Sequence, residues 1–315
     1  MLSFREFLLR YLLPLACGFV MIALGADLLW TRFVLGKTKH SDVARIRQAI
    51  ESDDHRMPIH GSSKARSNYI PSLLGVSSYN YGMDASSQAV SNALMECELA
   101  KRSSSAPILV DFPLFWFEEI GDETKFIPFA RLPQIRELLT NAGKWRVRYL
   151  IAGVRFYGCY DWYLKDLLTE NIELTRRVED GFTYRLTPIP WSKESFDAKI
   201  QKRLHTRTAY HESAVQRDDL EALIADHPER HFFVVVSPFH KAFFQGFSGI
   251  DRAYAFLDEI GKLPNVTVID LSRSNYPDNY FEDTSHLNEE GAKRFSADLA
   301  LILRKHPLFV PRTSP

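Results

Sequence analysis

The stretch "HFFVVVSP", residues 231–238, restricts the fold more than any other part of the chain. Five consecutive apolar residues leave no polar face to turn towards water, so the run reads as a strand covered on both sides, as in a parallel sheet. Its neighbours fit. "QRDDLEALIADHPER" before it and "IDRAYAFLDEIGKL" after it carry apolar residues at helical spacing, and "NVTVIDLS" follows as another strand.

The same alternation appears earlier. "RMPIHGSS" reads as a short strand running into a turn, "GVSSYNYG" as a second ending at Gly82, "ASSQAVSNALMECELAKR" as a helix and "APILVDFP" as a strand. "NEEGAKRFSADLALILRKH" closes the series as an amphipathic helix. Helices between apolar strands predict one α/β domain with a mostly parallel sheet over residues 56–310. Residues 114–212 break the alternation with aromatics and charges, and read as an insertion capping one end of the sheet. Within it and at its edge, Trp116, Phe117, Trp162 and Trp191 are candidates for a packed lid or a sugar-stacking wall.

The amino terminus obeys a different pattern. "YLLPLACGFVMIALGA", Tyr11 to Ala26, has no charge, and continuing to Trp30 adds only Asp27. About twenty such residues can cross a hydrocarbon core roughly 30 Å thick as a helix. No small-residue cleavage site follows, because "DLLWTRFVLGKTKH" is bulky and charged. The segment therefore reads as an uncleaved single-pass anchor over residues 1–36, joined by a polar linker over 37–55. Arg5 and Arg10 precede it while Arg32, Lys37 and Lys39 follow it, so charge does not set the orientation.

Lys plus Arg balances Asp plus Glu at 39 each, so no global field argues for nucleic acid or a strongly charged substrate, and no nucleic-acid partner is expected. Cys17, Cys97 and Cys159 have no metal-ligand spacing; a Cys97–Cys159 disulfide and buried thiols are both open, and neither a metal nor a cofactor is expected.

In parallel sheets ligands gather beyond the carboxyl ends of the strands. Gly61, Ser62, Ser63, Gly82 and Asp111 fall at such ends. Asp283 and His286, three apart in "YFEDTSHLNEEGAKRF", precede the last helix. A serine hydroxyl needs a base within reach, and the base needs a partner to fix its tautomer. Asp283 and His286 can supply both to Ser63. Lys64 and Arg66 are candidates for orienting an anionic substrate, and His240 in "SPFHK" for touching one. "QGFSGID" around Ser248 lacks the spacing of a nucleophile elbow and reads as a loop.

In these blocks the chain resembles the SGNH or GDSL hydrolase superfamily: Gly61-Ser62-Ser63 matches its first block with serine replacing aspartate, Asn80 and Gly82 its second, and Asp283-x-x-His286 its last. That resemblance implies a three-layer flavodoxin-like fold, Ser63 as nucleophile, His286 as general base, Asp283 as its partner, and the Ser63 and Gly82 N–H groups as oxyanion donors, with Asn80 and Asp111 near the substrate. The family's further donor, an asparagine after the third strand, is missing: "LVDFPLF" offers Asp111 instead. This departure, together with the anchor, is similar to the membrane-anchored DltD-type and alginate-acetylation proteins that assist O-acylation of envelope polymers. The implied function is an esterase or O-acyltransferase acting on acyl esters of an envelope polysaccharide outside the cytoplasmic membrane, alongside a multi-spanning membrane O-acyltransferase. The alternatives are a non-catalytic scaffold with the same fold and a plain small-ester esterase.

Overall fold

The computed structural model describes residues 3–35, 42–52, 56–84, 86–100, 105–114, 123–151, 176–185, 191–206 and 214–309. Packing divides the chain into two compact units, Met1–Ala44 with Glu123–Glu173, and Arg45–Asp122 with Leu174–Pro315.

The second unit is α/β. Its strands β1 (Met57–His60), β2 (Ser78–Asn80), β3 (Ile108–Asp111), β6 (Phe232–Val236) and β7 (Val266–Asp270) form one parallel sheet in the order β2-β1-β3-β6-β7. Counted among its own strands the order is 2-1-3-4-5, with the switch point between β1 and β3. Every strand expected from the apolar runs is present in this sheet.

Alternation along these runs feeds two cores. Ile108, Val110, Phe232, Val234 and Val236 face Met95, Leu220, Ile224, Ala253, Phe256 and Ile260, from the helices Gln88–Leu99, Ala214–Ala225 and Ile250–Ile260. Met57, Ile59, Leu109, Phe233 and Val235 face Ala65, Phe295 and Leu299, from the helices Ser63–Asn68 and Glu289–Leu303. Residues one apart in a strand point to opposite faces, so a run apolar at every position is what a doubly covered sheet requires.

A hairpin inside the proposed insertion was not anticipated. Strands β4 (Arg176–Glu179) and β5 (Phe182–Arg185) pair antiparallel across an Asp180–Gly181 turn. Its tip covers the edge strand, where the Asn80 N–H donates to the Asp180 carbonyl at 2.8 Å. Such cover keeps an exposed strand edge from pairing with another chain.

In the first unit an apolar helix runs from Phe4 to Phe33, long and apolar enough to cross a membrane. Thirty residues span about 45 Å. Its apolar side chains face outward, while Asp27, the one carboxylate between Leu13 and Trp30, is the buried residue of that stretch. A carboxylate shielded by protein is how an ionisable group is tolerated in such a helix. Elsewhere in this unit the buried Lys125 pairs with Asp42 at 2.9 Å, and Lys144 pairs with Glu123.

Candidate active site

The strand ends are level, since His60 pairs with Val110, Asp111 with Val235 and Val236 with Asp270. At this rim β1 stops and the chain turns at Gly61, whose φ of +154° suits glycine and whose Cβ would come within 2.7 Å of Ala65 Cβ. Ser62 then caps the short helix, its hydroxyl accepting the Lys64 N–H at 3.4 Å. Ser63 is the first residue of that helix and half-buried, so its own N–H has no carbonyl within the helix to bond.

The loop before the final helix is closed by a bridge between Phe281 and Leu287, with the Glu282 N–H donating to the His286 carbonyl at 2.8 Å. Asn288 caps the helix that follows, accepting the Gly291 N–H at 3.0 Å. Between these anchors Asp283 Oδ1 accepts the N–H groups of Ser285 and His286 at 2.8 and 2.9 Å. The short Asp-x-x-His spacing is thus a carboxylate folded back over its own turn.

Three side chains meet across 223 residues of sequence. Ser63 Oγ lies 2.8 Å from His286 Nε2. His286 Nδ1 lies 2.9 and 3.0 Å from the two oxygens of Asp283. With Nδ1–H donated to the carboxylate, Nε2 is left as the acceptor for the serine O–H.

Electrostatics fixes which of these is charged. Burial would raise the Asp283 carboxyl, but the hydrogen bond and charge of His286, the Arg203 guanidinium and the Ser285 N–H together hold it far below the usual carboxylate range. Arg203, on the helix Lys193–Thr206, donates from Nη2 and Nε to Asp283 Oδ2 at 3.1 and 3.3 Å. Nothing in the sequence signals this contact, which links residues 80 apart.

Not every expected site residue is brought to the mouth. Lys64 is fully buried: it points beneath the helix, donates to the Ser237 carbonyl at 2.7 Å and sits 3.5 Å from the centre of the Phe239 ring. Burial pulls its ammonium down to about 8, against the opposing charges of Asp111, Asp270 and Asp283. Asp111 also turns inward, where Oδ1 accepts from Tyr69 at 2.6 Å and Ser237 at 2.7 Å. Asn80 is fully buried and spends its amide on the Ala65 and Tyr69 carbonyls, at 2.8 and 2.9 Å. Lys64 and Asn80 are framework rather than substrate contacts, their polar groups satisfied inside the protein, whereas Asp111 keeps its Oδ2 buried without a hydrogen-bond partner.

Gly82 packs where no side chain fits, its Cβ position lying 2.3 Å from the Arg66 nitrogen. Its N–H, expected to face an oxyanion, donates to Asn80 Oδ1 at 2.8 Å. Arg66 pairs with Asp84. His240 caps the helix Lys241–Gly246 through Nδ1 and meets Asp278 at 3.1 Å through Nε2, so both ring nitrogens are used within the loop.

Asn68 was not foreseen as a site residue, yet it ties the two halves together. Its Oδ1 accepts the Leu287 N–H at 3.0 Å, next to His286, and its amide donates to Ser237 Oγ at 3.1 Å. Lys64 and Asn68 are four apart, the spacing that puts two side chains on one helix face.

Trp191 is 39% exposed and packs on Phe196 at 5.8 Å between ring centres. Trp116, Phe117, Trp162 and Cys159 lie outside the described residues, and Cys97 is buried. Ser248 precedes Gly249, which opens the helix Ile250–Ile260 in a left-handed conformation, so the loop reading of this segment holds. Among the described residues no three His, Cys, Asp or Glu side chains converge as a metal site. Set against known proteins, the chain matches no family model and no curated sequence.

Proposed function

We propose that the α/β unit is an SGNH-type serine esterase or O-acyltransferase that acts on acyl esters of an envelope polysaccharide. The observation that carries the reading is the continuous Ser63–His286–Asp283 hydrogen-bond chain at the carboxyl rim of a parallel sheet. Ser63 Oγ attacks the ester carbonyl carbon as its proton passes to His286 Nε2, and the imidazolium is stabilised by Asp283. The tetrahedral intermediate collapses when His286 returns the proton to the departing alkoxide, leaving an acyl-serine. Water or a sugar hydroxyl then gives its proton to the same nitrogen and takes the acyl group.

The Ser63 N–H is the first oxyanion donor, and Gly82 joins it by exchanging its bond to Asn80 Oδ1 for one to the oxyanion. Asp111 is directed into the core, where Tyr69 and Ser237 donate to its Oδ1, rather than towards the oxyanion position. The apolar amino-terminal helix supports a membrane-anchored enzyme; that its α/β unit works on the extracytoplasmic side is what the resemblance to envelope-acting proteins implies. Transfer is favoured over hydrolysis by the resemblance to polymer-acylating proteins, with a multi-spanning O-acyltransferase as partner.

Because the Gly82 N–H is occupied, a second reading has a specific basis: a scaffold that retains the fold without turnover. Labelling of the full chain in detergent with a fluorophosphonate separates the two. The enzyme reading expects one labelled serine, lost in both Ser63→Ala and His286→Ala. A folded wild-type protein that takes up no label would sink it.

A further inference from the structure

We propose that residues 131–151 form a second membrane contact that rests on anionic phospholipid headgroups. The chain as a whole carries equal numbers of basic and acidic residues, but this segment holds Arg131, Arg136, Lys144, Arg146 and Arg148 against Glu137 alone. Lys144 is matched by Glu123. Arg131, Arg136 and Arg146 are exposed and donate to the main-chain carbonyls of Leu150, Arg131, Gly143 and Trp145, which orders the guanidinium groups without neutralising them. Arg148 is exposed too, its guanidinium 5.4 Å from the centre of the Tyr149 ring.

Apolar side chains are set among these charges. Val147 is 66% and Ile151 51% exposed, while Ile135, Leu138, Leu139 and Tyr149 are buried inside the unit. Arg146, Val147 and Arg148 are thus all exposed where the short helical turn Val147–Leu150 begins, Arg146 being the residue that precedes it. Basic residues interleaved with exposed apolar ones match the boundary between headgroups and acyl chains, where the cations meet phosphate and the apolar groups leave water.

Connectivity says why the occupant is a membrane. Asp42 lies nine residues beyond Phe33, the end of the apolar helix, a reach of at most about 30 Å. The Lys125–Asp42 pair, half-buried on its Asp42 side, fixes the segment 123–129 to that point, and the Lys144–Glu123 pair fixes the basic turn to the same segment. Where the apolar helix enters a bilayer, the arginines are held within reach of its surface. This inference rests on the reading of the apolar helix as a membrane span and not on the chemistry of Ser63.

Hydrogen–deuterium exchange on the full chain in lipid nanodiscs tests it. Amides of residues 145–151 should exchange at least about threefold more slowly in discs containing phosphatidylglycerol than in discs of phosphatidylcholine alone, since each juxtamembrane arginine favours the anionic surface. The difference should vanish at roughly 0.5 M salt, where charges are screened over a few ångströms, and in the Arg131→Glu/Arg146→Glu variant. Equal exchange in the two lipids would overturn the proposal, as would protection that survives high salt in the wild type. Equivalent protection by soluble dextran sulfate with phosphatidylcholine discs would also overturn it, by pointing to a polyanion site instead.

Discussion

Two imidazole–hydroxyl contacts sit at opposite ends of the same sheet. At the carboxyl rim His286 Nε2 lies 2.8 Å from Ser63 Oγ; at the amino end His231 Nε2 lies 2.9 Å from Thr267 Oγ1, with His306 Nε2 on the same hydroxyl at 3.3 Å. By distance alone the two are equivalent. They differ in what stands behind the imidazole. His286 has a charged, doubly anchored carboxylate on its far nitrogen, whereas His231 has a second histidine beside it, 4.9 Å between ring centres. A carboxylate in that position can stabilise an imidazolium, and a neighbouring imidazole cannot. Thr267 lies within β7, while Ser63 opens a helix beyond a strand end. A hydroxyl beside a histidine thus has the geometry proposed for Ser63 only when a carboxylate stands behind the ring.

The largest expected effect breaks the equivalence directly. Ser63→Ala or His286→Ala should reduce turnover of an acyl ester about 10⁴-fold or more, and Thr267→Val should leave it unchanged. Loss of activity in the Thr267 variant, with the fold intact by circular dichroism, would move the reacting hydroxyl to the wrong end of the sheet.

Next in size is Asp283→Asn, which keeps the shape but removes the charge and frees the imidazole tautomer. A fall of about 10³- to 10⁴-fold in the rate of fluorophosphonate labelling is expected. A variant within tenfold of wild type would mean that His286 does not need the carboxylate, and the two sites would differ less than their partners imply.

Arg203 sharpens the comparison by a smaller amount. Guanidinium and imidazole share one carboxylate, and Arg203 holds its Oδ2 in place. The Arg203→Ala variant should slow fluorophosphonate labelling about tenfold, the scale of one lost hydrogen bond to a charged group, and Arg203→Lys should restore part of it. A labelling rate equal to wild type would reduce Arg203 to a packing role.

How far these sites can be read from sequence depends on distance along the chain. Strands such as Phe232–Val236 are legible because covering a sheet on both faces imposes an unbroken apolar run. Ser63, Asp283 and His286 are legible because strand–turn–helix and Asp-x-x-His are local patterns, each set by a single turn. Lys64 shows the limit: beside Ser63 in sequence, it points elsewhere, because successive helix residues diverge by about 100°. Its i, i+4 relation to Asn68 carried that information, and both side chains end at Ser237. The hairpin had a signal as well, Asp-Gly in "VEDGFTYR", set inside an aromatic and charged stretch that otherwise reads as irregular. Arg203 had none, since its contact with Asp283 exists only once the fold has formed.

The smallest effect belongs to the histidine pair and appears in stability, not catalysis. Burial pushes His231 down, and the neighbouring His306 pushes it further; burial also lowers His306. For groups whose folded-state values lie below the ordinary one of about 6.5, the unfolded chain takes up protons first. Their contribution is then fully present above that pH and is lost as pH falls through the folded-state values. Melting temperature should accordingly decline on acidification from about pH 6.5, more steeply in wild type than in His306→Leu, which removes one titrating ring and relieves the other. A difference of about 2 °C between the two slopes over one pH unit is the expected scale for a domain of this size. Parallel curves would mean that the pair titrates as though in water. The amino-end cluster would then be a solvated contact, and the contrast with the tightly held His286 would be greater still.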